Sequence, residues 1–292
     1  MGFFILRQAK KYQVGLLQRT SSKYNPFPGM RKMNLISSIP VHPTQPIQER
    51  QLGQKDTPRV SHPAEQTSQD LVPDPRDQKA YYTRMTPFRR VAQPILIGGL
   101  RVMTKIVVEW ADRMPSSGPV ILAANHLTHY DVFFLQAAIS RPIFFMGKEE
   151  LFRNPAMDWT LRQLGGFPVY RSTGDEWALR HAEQVLQAGE VLGMFPEGTR
   201  SKGKGLKPAK TGVARLALAV GCPIQPVALH GPQYVFRRFH RRRTEVTITL
   251  SEPIFPEKGG SPLSLTDQFM FALAAMLPIE MRGAYRSRPQ GF

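Results

Sequence analysis

GPVILAANHLTHYDVFFLQAAI, residues 118–139, reads as one strand, one tight loop and one helix. Gly118 to Asn125 is a short apolar, β-favouring run bounded by turn residues, the pattern of a strand covered on both faces. Val132 to Ile139 follows as a helical stretch. A strand that feeds a helix through a short loop is the repeating unit of a parallel sheet, because parallel neighbours need a crossover connection. The same unit recurs along the chain. PIFFMG (Pro142 to Gly147), GFPVYR (Gly166 to Arg171), EVLGMFP (Glu190 to Pro196) and PIQPVALHG (Pro223 to Gly231) read as further buried strands. Helical stretches lie between and after them at Ala156 to Leu164, Glu176 to Ala188, Thr211 to Val220 and Asp267 to Arg282. KIVVEW (Lys105 to Trp110) and TEVTITL (Thr244 to Leu250) alternate as outer strands do. The expected fold class is α/β, a mostly parallel twisted central sheet flanked by helices, with a disordered N-terminal extension.

The extension is read from its composition. From Ser21 to Pro87 the chain is rich in Pro, Gln, Ser, Thr and charge, without a helical or alternating apolar period, so it cannot bury enough surface to offset its entropy. Residues 1–87 are therefore expected to form a largely disordered, basic, Pro-rich extension. Its first stretch, MGFFILRQAKKYQVGLLQR, is too short in apolar length to span a bilayer, and reads as an interfacial helix, a targeting peptide or a plain tail. Residues 88–110 hold Ile95, Leu96, Ile97, Leu100, Val102 and Met103 among cations, interrupted by Pro94, Gly98 and Gly99. They read equally as an amphipathic membrane-docking segment leading to the first strand and as a core-packed helix. Residues 111–292 make up the remaining compact domain.

Over the whole 292 residues, 39 Lys and Arg stand against 22 Asp and Glu, a formal charge of +17 that predicts an anionic partner: nucleic acid, an anionic bilayer or a phosphorylated substrate. With 41% hydrophobic and 21% charged residues, the composition excludes a wholly disordered or fibrous chain. A mean hydropathy of −0.29 is too polar for a polytopic membrane protein. The one cysteine, Cys222, supplies neither a disulfide nor a multi-cysteine zinc site, and a reducing compartment fits it best.

Ligands on open α/β sheets bind outside the carboxyl ends of the strands, so the loops leaving those strands hold the candidate chemistry. His126 ends the strand of residues 118–125, and Asp131 begins the next helix. On one continuous helix their five-residue offset would turn the side chains about 140° apart, so the loop must bend for them to meet. An aspartate near the positive helix end can then take the Nδ1 proton of His126, leaving Nε2 as a base toward a hydroxyl. His129, in the same loop, reads as a decoy. Taken alone, a His and an Asp in one loop are more often a cap and a surface hydrogen bond. The second loop, FPEGTRSKGKGLKPAKTG (Phe195 to Gly212), is an anion-binding loop in composition. Gly198 admits close backbone approach, Thr199 and Ser201 add donors, and Arg200 offers a planar fork to phosphate oxygens. It lacks the Gly-Lys-Ser/Thr order of a nucleotide P-loop, and a flexible basic surface loop is its plain alternative. Glu197 must either orient Arg200 or act on a substrate hydroxyl. Arg171, at the end of GFPVYR, adds a second candidate phosphate contact on the same sheet edge.

NHLTHYD resembles the NH-x4-D block of the glycerolipid acyltransferase family, the 1-acyl-sn-glycerol-3-phosphate acyltransferases and their relatives. GGFPVYR, FPEGTRS and PIQPVALHG resemble that family's second, third and fourth blocks, in the same order. The resemblance covers about Ile106 to Pro253. It implies transfer of a fatty acyl group from acyl-CoA or acyl-carrier protein to the hydroxyl of a lysophospholipid, usually lysophosphatidic acid, giving phosphatidic acid. It implies His126 as general base with Asp131 as its partner, and acceptor binding by Arg171, Glu197, Gly198, Thr199 and Arg200. It also implies a pocket shaped by Pro226, no metal and no cofactor beyond the acyl donor. Tyr170 stands where the family often carries a polar or acidic residue. The expected partners are the lysophospholipid, the acyl donor and an anionic membrane surface on the cytoplasmic face, met peripherally or monotopically, with RRFHRRR (Arg237 to Arg243) as a headgroup-facing rim. Nucleic acid is not expected. Other acceptors, namely glycerol 3-phosphate, another lysophospholipid or an ornithine lipid, stay open, as does a non-catalytic lipid- or nucleic-acid-binding protein.

Overall fold

The structure, a computed structural model, describes residues 74–170, 174–235 and 243–287. The expected disorder and anchoring of residues 1–73, and all of the basic rim except Arg243, lie outside the described residues. Seven strands form one sheet in the order β1-β7-β6-β2-β5-β3-β4. They are β1 (Thr104–Glu109), β2 (Val120–Ala124), β3 (Ile143–Lys148), β4 (Gly166–Val169), β5 (Val191–Met194), β6 (Ile224–His230) and β7 (Thr244–Leu250). All neighbours pair in parallel except β6 and β7. The helices are α1 (Pro87–Met103), α2 (Asp131–Ala138), α3 (Pro155–Gln163), α4 (Glu176–Gln187), α5 (Gly212–Val220) and α6 (Pro262–Ala275).

The central strand β2 is wholly buried, as its uninterrupted apolar run requires. TEVTITL, expected at the outside, instead lies between β1 and β6. Its alternation reports one covered face and one partly wet face, with Val246, Ile248 and Leu250 turned into the core, and says nothing about a free edge. The last helix starts earlier than expected, at Pro262, where Ser261 caps it, and Pro278 keeps it from continuing to Arg282.

Two boundaries shift. Residues 88–103 form one helix with Pro87, despite Pro94, Gly98 and Gly99, which on local propensity should break it. Tertiary contacts override propensity here: Arg89 is buried, and its Nη2 donates to Gln136 Oε1 on α2 and to the Ile143 carbonyl at the start of β3. The extension expected to be disordered through residue 87 ends earlier. Arg76, only 6% exposed, forms ion pairs with Asp74 and with Asp175, the N-cap of α4, and its guanidinium lies over the rings of Tyr170 and Trp177 at 4.4 Å. Residues 74–86 are thereby held on the domain.

The sheet order positions the site. From β2 to β3, and on to β4, the chain moves toward one edge; from β4 to β5 and from β5 to β6 it moves back. Right-handed crossovers then put α2 and α3 on one face and α4 and α5 on the other. The reversal falls between β2 and β5, which pair directly, so a crevice opens at their carboxyl ends.

Candidate active site

His126 lies two residues beyond the end of β2, and Phe195 directly follows β5. Their rings stack across the crevice at 4.0 Å. Asn125 fixes the strand end from below: its side chain accepts the Leu229 N–H at 2.7 Å and donates to the Leu229 carbonyl at 2.9 Å. A single buried amide thus ties β2 to β6 where the ladder gives out, a role the sequence reading missed although Asn125 adjoins the histidine.

The loop bends as the five-residue offset demands. Asp131, fully buried at the first position of α2, reaches back to His126 Nδ1 at 2.8 Å. The same carboxylate accepts the Leu127 and Thr128 amides at 2.6 and 2.9 Å and the Thr128 hydroxyl at 2.7 Å. It therefore serves as both the anchor of the loop and the partner of the imidazole. With Asp131 accepting at Nδ1, the assigned tautomer carries its proton there, and Nε2 keeps a lone pair.

The β5 exit faces this dyad. Gly198 turns the loop with φ of 67°, and a Cβ there would stand 3.3 Å from Lys210 Cε. Lys207 Nζ donates to the Thr199 hydroxyl and the Arg200 carbonyl, both at 3.0 Å, so its side chain knits the loop together. Arg200 Nη1 contacts His129 Nε2. Desolvation and the neighbouring Arg200 charge hold His129 below the usual imidazole value, in the neutral form that accepts a guanidinium N–H. The supposed decoy is thus a contact of Arg200. Glu197 departs from the expectation: it is 4% exposed, and both its oxygens accept backbone amides from below the site. Arg171 lies outside the described residues; its neighbour Tyr170 donates its N–H to Asp175 and packs beneath Arg76. Pro226 sits inside β6 opposite Ala123, in the sheet and outside the cavity wall.

A cavity of about 1260 Å³ joins these parts. It is larger than the few hundred to about 1,000 Å³ usual for small-ligand sites. His126, Arg200 and Lys210 line it at the strand ends, and Lys148, at the end of β3, joins them. Apolar side chains make up much of the rest of the lining, among them Ile97 of α1, Phe133 of α2, Ile143 and Phe145 of β3 and Leu216 of α5. Gly193 leaves room for the Phe145 ring, since a Cβ there would meet it at 2.2 Å. A space of this volume and lining accepts an apolar chain whose polar end lies at His126. Among the described residues, no group of three or more His, Cys, Asp or Glu is placed to hold a metal ion.

The family model Acyltransferase matches residues 105–230, a span that includes His126, Asp131 and the whole β5 exit loop. The chain is 28% identical to a 1-acyl-sn-glycerol-3-phosphate acyltransferase of Bacillus subtilis over 160 residues, covering 54% of this chain and 75% of that protein. It is 34% identical to a lyso-ornithine lipid O-acyltransferase of Pseudomonas aeruginosa over 113 residues, 38% of this chain and 43% of that one. The crystal structure of the 1-acyl-sn-glycerophosphate acyltransferase PlsC from Thermotoga maritima superposes with a TM-score of 0.53 at 26% identity, covering 64% of this chain and 79% of that one. Fold and these matches agree: residues 105–230 match the acyltransferase family model, and the chain is similar in sequence and fold to 1-acyl-sn-glycerol-3-phosphate acyltransferases.

Proposed function

We propose that the protein moves a fatty acyl group from acyl-CoA or acyl-carrier protein to the sn-2 hydroxyl of 1-acyl-glycerol-3-phosphate, forming phosphatidic acid. The observation that carries this reading is the shared crevice: an Asp131-held imidazole, a guanidinium and the mouth of a largely apolar cavity meet at one sheet edge. His126 Nε2 takes the proton of the acceptor hydroxyl as its oxygen attacks the thioester carbonyl. Asp131 stabilises the imidazolium that forms. The tetrahedral intermediate collapses by breaking the C–S bond, and the imidazolium returns the proton to the departing thiolate. The ester and the free thiol result, and His126 is restored. No step is assigned to a metal or a further cofactor.

Arg200 binds the acceptor phosphate in this reading, with Arg171, Lys148 and Lys210 contributing positive charge. Arg200→Ala should raise KM for lysophosphatidic acid by about 10- to 100-fold, the loss of a charge-assisted hydrogen bond, with a smaller change in kcat. Steady-state kinetics against 1-monoacylglycerol, which lacks the phosphate, supply the control. An equal loss on both acceptors would contradict the assignment. A lyso-ornithine lipid, the acceptor that the name of one relative carries, is the alternative. That lipid also lacks phosphate, so the same comparison separates the two.

The protein also docks on an anionic membrane surface through α1, in a peripheral or monotopic manner at the cytoplasmic face. Among the described residues no helix is long and apolar enough to cross a membrane. Support comes from Phe88, Val91, Ile95 and Val102, which recur on one helical face and remain exposed, Val91 at 66% and Ile95 at 70%. The same helix contributes Leu96 and Ile97 to the cavity, so lipid would enter beside its docking face. Val91→Glu with Ile95→Glu should reduce sedimentation with anionic vesicles about tenfold or more, and unchanged sedimentation would remove α1 from this role.

A further inference from the structure

Both peptide groups of His126 are gripped by the loop that leaves β5. Its N–H donates to Glu197 Oε1 at 2.9 Å, and its carbonyl accepts the Ser201 N–H at 2.8 Å, with the Ser201 hydroxyl at 3.3 Å from the same oxygen. Glu197 Oε2 accepts the Lys207 N–H at 3.0 Å, which closes the loop on itself. The β2–β5 ladder ends at Ala123 opposite Met194, so beyond it these bonds hold the two strand exits in register. Glu197 is 4% exposed, and no described side-chain cation stands within ion-pair distance of it. Buried and outside the cavity lining, this carboxylate is turned to the backbone and away from a substrate.

We infer that Glu197 is a positioning residue for the base: a buried carboxylate that sets the place of the His126 backbone, so that the imidazole meets Asp131 at Nδ1 and the acceptor hydroxyl at Nε2. The inference rests on the transferase reading for what the base does, and on geometry for what Glu197 does. Burial raises the Glu197 carboxyl above its ordinary value, and the two amide donors oppose that rise. Backbone donors from two separate segments are joined through this one side chain. A glutamine has one acceptor oxygen and one NH₂ group at this position. It can satisfy one of the two amides, while its NH₂ faces the other donor to donor. Either the His126 bond or the Lys207 bond is lost.

Displacements of about 1 Å at a reacting group cost on the order of 10²-fold in rate. Glu197→Gln should therefore lower kcat about 10- to 100-fold while leaving KM for lysophosphatidic acid within about threefold, and the kcat loss should be the same with 1-monoacylglycerol as acceptor. A carboxylate that bound the acceptor would instead raise KM. A second readout is independent of turnover. Imidazole ¹⁵N NMR of the full-length chain, with His126 assigned by comparison with His126→Gln, should report a single Nδ1-protonated tautomer in the wild type and a mixture in Glu197→Gln. Glu197→Asp, whose carboxylate ends one methylene short, should show the same pattern and serves if the glutamine variant does not fold. Unchanged kcat with an unchanged tautomer overturns the inference, as does a KM rise of tenfold or more at constant kcat. A tautomer shift in a protein that transfers no acyl group would uphold the positioning role and defeat the functional reading instead.

Discussion

His126→Ala should lose about 10²- to 10⁴-fold of acyl transfer, the usual cost of removing a general base, and keep the wild-type fold. The fold survives because the imidazole is packed chiefly between Phe195 and Asp131, and its backbone bonds to Glu197 and Ser201 remain. Radiolabelled acyl transfer measured beside circular dichroism checks both halves. A folded variant with normal turnover would remove the base from the mechanism, whatever the fold resembles. The size of the loss is informative too. A residue that only lined the cavity would cost binding of the acyl chain, seen as raised KM, whereas a base is required equally by every acceptor and every chain length.

Arg76→Ala should destabilise the domain by about 3–5 kcal/mol, the cost of leaving one member of a buried ion pair without its partner. Arg76 and Asp175 have side-chain exposures of 7% and 4%, so solvent does little to screen the loss. For a domain of roughly 200 residues this lowers Tm on the order of 10 °C. The clamp also predicts a pH dependence. The Arg76 hydrogen bonds hold Asp74 below the usual carboxylate range; burial pushes Asp175 up, but Arg76 and the Tyr170 and Ala178 amides outweigh it and hold it low as well. Carboxyls depressed in the folded state add stability that is present above their unfolded pKa and lost as pH falls through the folded one. The wild type should therefore lose stability over the acid range below about pH 4, and Arg76→Ala should lose less over the same range. Calorimetric scans at a series of pH values measure this. Equal Tm at neutral pH would contradict a structural role for residues 74–86.

Much of the sheet was legible because buried parallel strands are short apolar runs between turn residues, and each run from GPVILAAN to PIQPVALHG became a strand. The dyad was legible for a local reason: five residues and one helix start bring His126 and Asp131 together without help from elsewhere in the chain. What escaped depends on partners distant in sequence. Arg76 lies in a Pro-rich stretch with no periodic signal, and its anchor, Asp175, is 99 residues away. Helix α1 continues through Pro94 with Arg89 anchored on α2 and β3, contacts that no propensity scale contains. From its neighbours in sequence, Glu197 reads as an acid among cations that orients Arg200 or acts on a substrate hydroxyl. Its burial follows from the amide of His126, 71 residues earlier, which composition does not reveal. Pro226 was assigned to a pocket by its block, but the block is a buried strand, and the cavity opens on the far side of β2 and β5 along β3.

The measurement that bears most directly on the central claim is mass spectrometry of the products formed by the purified full-length protein with acyl-CoA or acyl-carrier protein and a panel of lysolipids on anionic vesicles. Phosphatidic acid made from lysophosphatidic acid, in preference to products from phosphate-free acceptors and absent with His126→Ala, is the predicted result. No acylated product from any acceptor with either donor, or equal product from the His126→Ala protein, would contradict it.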